Sequence, residues 1–139
     1  LKMGVMVWSP LASGFLTGKY TGESGGKGRR NVFAFPPVDP ERGDKIVEQL
    51  RKIAAEHDAT PARIALAWLL HQQDVTSVII GARRIEHFED NVQSVDIKLS
   101  DEELAQLNAV SQPATPFMYM DLSLQRGQTL EERFAEMMS

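Results

Sequence analysis

The chain has no cysteine in its 139 residues, which excludes disulfides and thiolate metal sites and is compatible with a reducing compartment. It also lacks a long apolar run. The longest, Ile64–Leu70, falls far short of the roughly 20 residues a membrane-spanning helix needs. Positive charge is not in excess: 15 Lys and Arg stand against 19 Asp and Glu, for a net charge of -4 at pH 7. With no basic stripe to offset that balance, a general nucleic-acid binder is excluded. No secretory leader is recognisable, because Leu1-Lys2-Met3 runs straight into strand-like sequence. The expectation is a soluble, cytoplasmic protein with no metal site and neither membrane nor nucleic acid as partner. What is present is ordinary globular composition, 42% hydrophobic and 24% charged, in a chain long enough for one domain with a real core.

The most informative stretch is Gly4-Val5-Met6-Val7-Trp8-Ser9-Pro10-Leu11-Ala12-Ser13-Gly14-Phe15-Leu16-Thr17-Gly18-Lys19-Tyr20. Val5 to Val7 read as a buried strand, since an unbroken β-branched run suits a parallel sheet covered on both faces. Pro10 cannot donate to a ladder and holds Ser9 extended, so the strand stops there. The loop beyond it offers hydroxyls, backbone N–H groups and the cation of Lys19 at a strand's carboxyl end, where α/β proteins bind ligands. An ordinary connecting loop would show the same pattern. The chain starts at Leu1 and enters this strand at once, with nothing upstream to supply a neighbour. It is expected to be part of a longer protein, or to complete its sheet by association.

Residues 21–38 read as a long Gly-rich surface loop in which Arg29 and Arg30 either clamp an anion or are simply solvated. Asp39-Pro40 and Thr60-Pro61 are two N-cap-then-proline helix starts. Ile46, Val47, Leu50, Ile53 and Ala54 give the first helix one apolar face. Ile64–Leu70 makes the second apolar all round and hence buried, with Trp68 in the core; His57 reads as a helix-end packing residue. Thr76–Ile80 reads as a second buried strand, which completes a right-handed βαβ unit. Gly81-Ala82-Arg83-Arg84 then opens a helix with Ile85, Phe88, Val92 and Val95 on its apolar face and Glu86, His87, Asp90 and Asn91 opposite. Its N-terminus, with Arg83 beside it, suits a phosphate. Ser100-Asp101-Glu102-Glu103 and Thr129-Leu130-Glu131-Glu132 are capping boxes of two further helices, and Phe117–Met120 reads as packing or a lid.

Trp8 to Tyr20 resembles the strand-seven segment of the aldo-keto reductases, and Val78-Ile79-Ile80-Gly81-Ala82-Arg83 through Glu86 to Asp90-Asn91 resembles their strand-eight segment and following helix. The intervening helices with their Thr-Pro start match in order and spacing. The similarity covers about residues 3–111 and is nearest the branch of bacterial general-stress reductases and potassium-channel β-subunits. It implies an α/β fold in which residues 1–111 are the C-terminal part of a (β/α)8 TIM barrel, strands seven and eight with their helices, incomplete alone. Residues 112–139 form a tail with a short helix. The resemblance further implies NADPH as cofactor and a small-molecule aldehyde or ketone as substrate. Trp8 would lie against the nicotinamide, and Ser9, Pro10, Leu11, Ala12 and Ser13 would line the pyrophosphate with Lys19 nearby. Gly81 and Arg83 would meet the adenosine ribose and its 2′-phosphate, while His87, Asp90 and Asn91 would stand by the adenine. His87 departs from the glutamine or arginine usual in the family. The family's Asp, Tyr, Lys and His tetrad belongs to the first half of the barrel, and Tyr20 and Tyr119 lie in the wrong contexts to replace its acid. This chain is therefore expected to carry no catalytic residue. Its partner would be the missing N-terminal half, or another copy of the chain if it is a non-catalytic nucleotide-binding or oligomerising half-barrel.

Overall fold

A computed structural model describes residues 3–20 and 36–112. Strand β1 (Val5–Trp8) is followed by a 3-10 turn at Ala12–Thr17, then helices α1 (Pro40–Glu56) and α2 (Pro61–Leu70). Strand β2 (Val75–Ile79), helix α3 (Ile85–Val92), a 3-10 turn at Gln93–Asp96 and helix α4 (Asp101–Ser111) complete the order. Most of the loop expected at 21–38, and the tail with Phe117–Met120 and the capping box at Thr129, lie outside the described residues.

Among the described residues, three of the four helices begin where side-chain chemistry sets them. Asp39 Oδ1 accepts from the N–H groups of Glu41 and Arg42 at 3.1 and 3.4 Å, with Pro40 in the first turn, where its missing N–H costs nothing. Thr60 Oγ1 accepts from Arg63 N at 3.2 Å. Ser100 and Glu103 form a reciprocal capping box: Glu103 N donates to Ser100 Oγ at 3.3 Å, and Ser100 N donates to Glu103 Oε2 at 2.6 Å.

The core lies where α1, α2 and α4 meet. Leu50, Ile53 and Ala54 pack against Ile64, Ala65 and Ala67, and Leu99 and Leu107 close the cluster. Each large aliphatic side chain buried here contributes on the order of 1.5–3 kcal/mol. Polar links hold the same layer in register. His57, at the end of α1, meets Glu103 of α4 at 2.6 Å. Trp68 Nε1 donates to Asn108 at 2.8 Å, so Trp68 is half-buried with a wet edge and not a core residue throughout. Arg51 donates to the Gly18 carbonyl at 2.8 Å and ties the first turn to α1. Gly43 lets Phe15 lie flat on α1, because a Cβ there would come within 2.6 Å of the Phe15 ring.

The two strands are parallel, pairing Val5 with Val75, Met6 with Ser77, Val7 with Val78 and Trp8 with Ile79. The irregularity between Val5 and Met6 falls next to Gly4, whose absent Cβ would overlap Thr76 Oγ1. Several expectations need correcting. β1 runs one residue further, to Trp8, and β2 is shifted by one, to Val75–Ile79. Neither strand is buried, since a two-strand sheet leaves faces and edges that no described residue covers. Likewise α3 turns its apolar stripe outward: Ile85 is 62% exposed, Val95 just beyond it 66%, and Phe88 and Val92 are also exposed. Asn91, assigned to the opposite, polar face, is instead buried. No helix among the described residues is long and apolar enough to cross a membrane.

Two outcomes follow for this layer. Gly43→Ala, which in an open helix interior would stabilise, should here destabilise by about 1–3 kcal/mol through overpacking against Phe15; urea unfolding of the G43A protein checks the sign. Burial opposes ionisation of Glu103, but hydrogen bonds from Ser100 and the contact with His57 outweigh it and hold the carboxyl below its ordinary value of 4.5. A lowered folded pKa means its stabilisation is fully present above that value and is lost as pH falls through the folded one. Glu103→Gln should therefore flatten the acid limb of the stability curve below about pH 4.5, measured by melting temperature against pH.

Candidate functional site

Parallel pairing of Trp8 with Ile79 makes the two strands end side by side, so the segments that leave them emerge from one edge of the sheet. The first, from Ser9 to Tyr20, is wound tightly where an open loop was expected. Ala12 N donates to Ser9 O, and Gly14 N to Leu11 O, both at 2.9 Å. Thr17 Oγ1 donates to Gly14 O at 2.8 Å. These N–H groups are thus committed within the turn and are not offered to an anion. Ser9, Ala12 and Ser13 adopt φ of 55°, 49° and 55°, followed by Gly14 at 86°. Left-handed backbone at non-glycine residues is costly, and such strain concentrates at functional segments held by their surroundings. Here the turn's own bonds and the Arg51–Gly18 tie supply the hold.

Two side chains give this segment its chemistry. Trp8 is 67% exposed at the carboxyl end of β1. Lys19 Nζ stands 4.9 Å from the centre of the Tyr20 ring, and a Cβ on Gly14 would lie 3.2 Å from that same ammonium. The cation is therefore folded back over the turn.

The second segment, Ile80 to Arg84, is open. Nothing lies within 4 Å of the position a Cβ on Gly81 would take. Arg83, Arg84 and His87 are exposed and make no ion pair or side-chain hydrogen bond with a described residue. Arg84 occupies the N-cap of α3 without a side-chain cap, unlike Asp39, Thr60 and Ser100 on the other helices. An uncapped helix start flanked by two guanidinium groups is a favourable place for an anion.

Asp90 and Asn91 stand differently from the rest. Asp90 accepts from Thr60 Oγ1 and from Arg63 Nε, each at 2.7 Å. Asn91 is 6% exposed and lines a mostly apolar cavity of about 130 Å³ between α2, β2 and α3. The register thus starts the segment that carries Trp8, Ser9, Pro10, Leu11, Ala12, Ser13 and Lys19 beside the one that carries Gly81, Arg83 and His87. Sequence reasoning passed over Arg84, Thr60 and Arg63 as site-forming residues. The Arg84 signal was available, an arginine where a capping side chain is usual. No local pattern links Arg63 to a residue 27 positions on.

Comparison with known proteins agrees with this architecture. The aldo/keto reductase family profile matches residues 2–112, and the chain belongs to that family. It is 34% identical over 115 residues to aldo-keto reductase str7 of Strobilurus tenacellus, covering 81% of this chain and 34% of that protein. It is 37% identical over 116 residues to a Schizosaccharomyces pombe protein named for the voltage-gated potassium channel subunit beta, covering 77% and 33%. A second S. pombe relative, named aldo-keto reductase yakc [NADP(+)], is 33% identical over 100 residues, 70% of this chain and 29% of that one. Among solved structures, the thermostable aldo-keto reductase Tm1743 with the inhibitor epalrestat superposes with a TM-score of 0.52 at 28% identity, covering 78% of this chain and 30% of that one. The chain spans about a third of the length of the relatives it matches.

Gly14 tests whether the first turn needs its backbone geometry. Gly14→Ala places a side chain at φ 86° and against Lys19, and should cost about 1–2 kcal/mol, read from the thermal midpoint.

Proposed function

We propose that this chain is the C-terminal, cofactor-binding portion of an NADPH-dependent aldo-keto reductase, contributing strands seven and eight of a (β/α)8 barrel. The observation that carries the reading is the Trp8–Ile79 register, which starts both cation-bearing segments from one sheet edge. The donor set fits a dinucleotide phosphate. Arg83, Arg84 and His87 suit a 2′-phosphate, Lys19 suits the pyrophosphate, and the exposed Trp8 offers an aromatic face to a nicotinamide. The relative whose name includes NADP(+) supports the same choice.

When bound, the cofactor supplies the hydride that reduces an aldehyde or ketone to an alcohol. This chain's residues bind and orient it; proton transfer falls to residues of the remaining barrel, and no catalytic residue is assigned here. The exposed faces of β1, β2 and α3 are the surfaces that remainder would cover, because parallel sheets are stable only when flanked. Cytoplasmic location goes with this reading.

Arg83→Ala in the full chain tests the reading. A lost charge-assisted contact of about 1.5–3 kcal/mol corresponds to roughly 10- to 100-fold weaker NADPH binding, with NADH affinity little changed. Fluorescence titration with both cofactors checks it, and equal losses would sink the assignment of Arg83 to the 2′-phosphate.

A further inference from the structure

Helix α3 has few means of holding its position. It is eight residues long, has no side-chain cap, and exposes Ile85, Phe88 and Val92. A helix this short is not stable by itself and depends on tertiary contacts. Among the described residues, its side-chain polar link to another helix is through Asp90. Both carboxylate oxygens are used: Oδ2 accepts from Thr60 Oγ1 and Oδ1 from Arg63 Nε, each at 2.7 Å. Thr60 Oγ1 also accepts from Arg63 N at 3.2 Å, so one hydroxyl caps α2 and donates to α3 at the same time. The Arg63 and Asp90 side chains are only 23% and 22% exposed. A charge-assisted pair sheltered to that degree, with a second donor on the other oxygen, holds more firmly than a surface pair.

Among the described residues another long-range ion pair, His57 with Glu103, joins α1 to α4 and does not touch α3. The start of α3, where Arg83, Arg84 and His87 gather, lies about one and a half turns from Asp90 along the helix. Moving Asp90 therefore moves those cations as a body.

We propose that Arg63, with Thr60, is a positioning residue for the cofactor-binding end of α3, which it grips through the Asp90 carboxylate. The proposal rests on the functional reading above.

The test uses Arg63→Ala and Arg63→Lys in the full chain, with His57→Gln as a control that breaks the other tie. Amide hydrogen exchange without cofactor should quicken about tenfold or more across residues 85–92 in R63A, the local opening expected when a segment loses its anchor. It should quicken less in R63K, and not at all in H57Q. NADPH affinity should fall about tenfold in R63A, equivalent to 1.4 kcal/mol, partly recover in R63K, and stay unchanged in H57Q. Unaltered exchange in α3 of R63A, or NADPH binding as tight as wild type or tighter, overturns the proposal. Wild-type protein that fails to bind NADPH overturns the functional reading, and the exchange rates then decide the anchor without it.

Discussion

The parallel pairing of β1 with β2 is the constraint on which the rest depends. Two strands running the same way must end at the same edge, so the segments after Trp8 and after Ile79 are neighbours whatever their own sequences prefer. The connection between parallel strands must also cross over, and α1 and α2 make that crossing. Their packing with α4 forms the apolar cluster around Leu50, Ile53 and Ile64. The sheet itself buries little; the helical layer behind it supplies the stability.

That division explains the uneven surface. The helical layer closes on itself through the core and through His57–Glu103, Trp68–Asn108 and Gln49–Gln106. The sheet layer and α3 do not: Met6, Trp8, Ile79, Ile85 and Val95 stand exposed. Under the proposed function, these are surfaces that the rest of a barrel would cover.

Much of this was legible because the signals were local. Asp39-Pro40, Thr60-Pro61 and Ser100 to Glu103 announced three helix starts, and each side chain caps as its position requires. The strand–helix–helix–strand order likewise followed from periodicity. What escaped notice was non-local or depended on missing neighbours. The apolar stripe of α3 has the period of a buried helix face, yet Ile85, Phe88, Val92 and Val95 remain exposed among the described residues. The turn at Ala12–Thr17 takes left-handed φ at Ser13, which small polar residues permit but do not announce. The pairing of Asp90 with Arg63 left no local sign, because the two sit on different helices. The assignments of Trp8, Lys19 and Arg83 came from family resemblance, and the geometry around them is compatible with one ligand crossing the shared edge.

The most direct measurement is amide chemical-shift mapping of the isotopically labelled full chain titrated with NADP⁺ and, separately, with NAD⁺. The account requires NADP⁺ to perturb both edge segments, residues 8–13 and 81–87, with the same saturation curve. NAD⁺ should perturb the first segment similarly and the second much less, since it lacks the phosphate that the second segment's cations would meet. Perturbation confined to one segment, or spread over α1 and α4 instead, would contradict the claim that parallel pairing assembles one cofactor site from two strand ends.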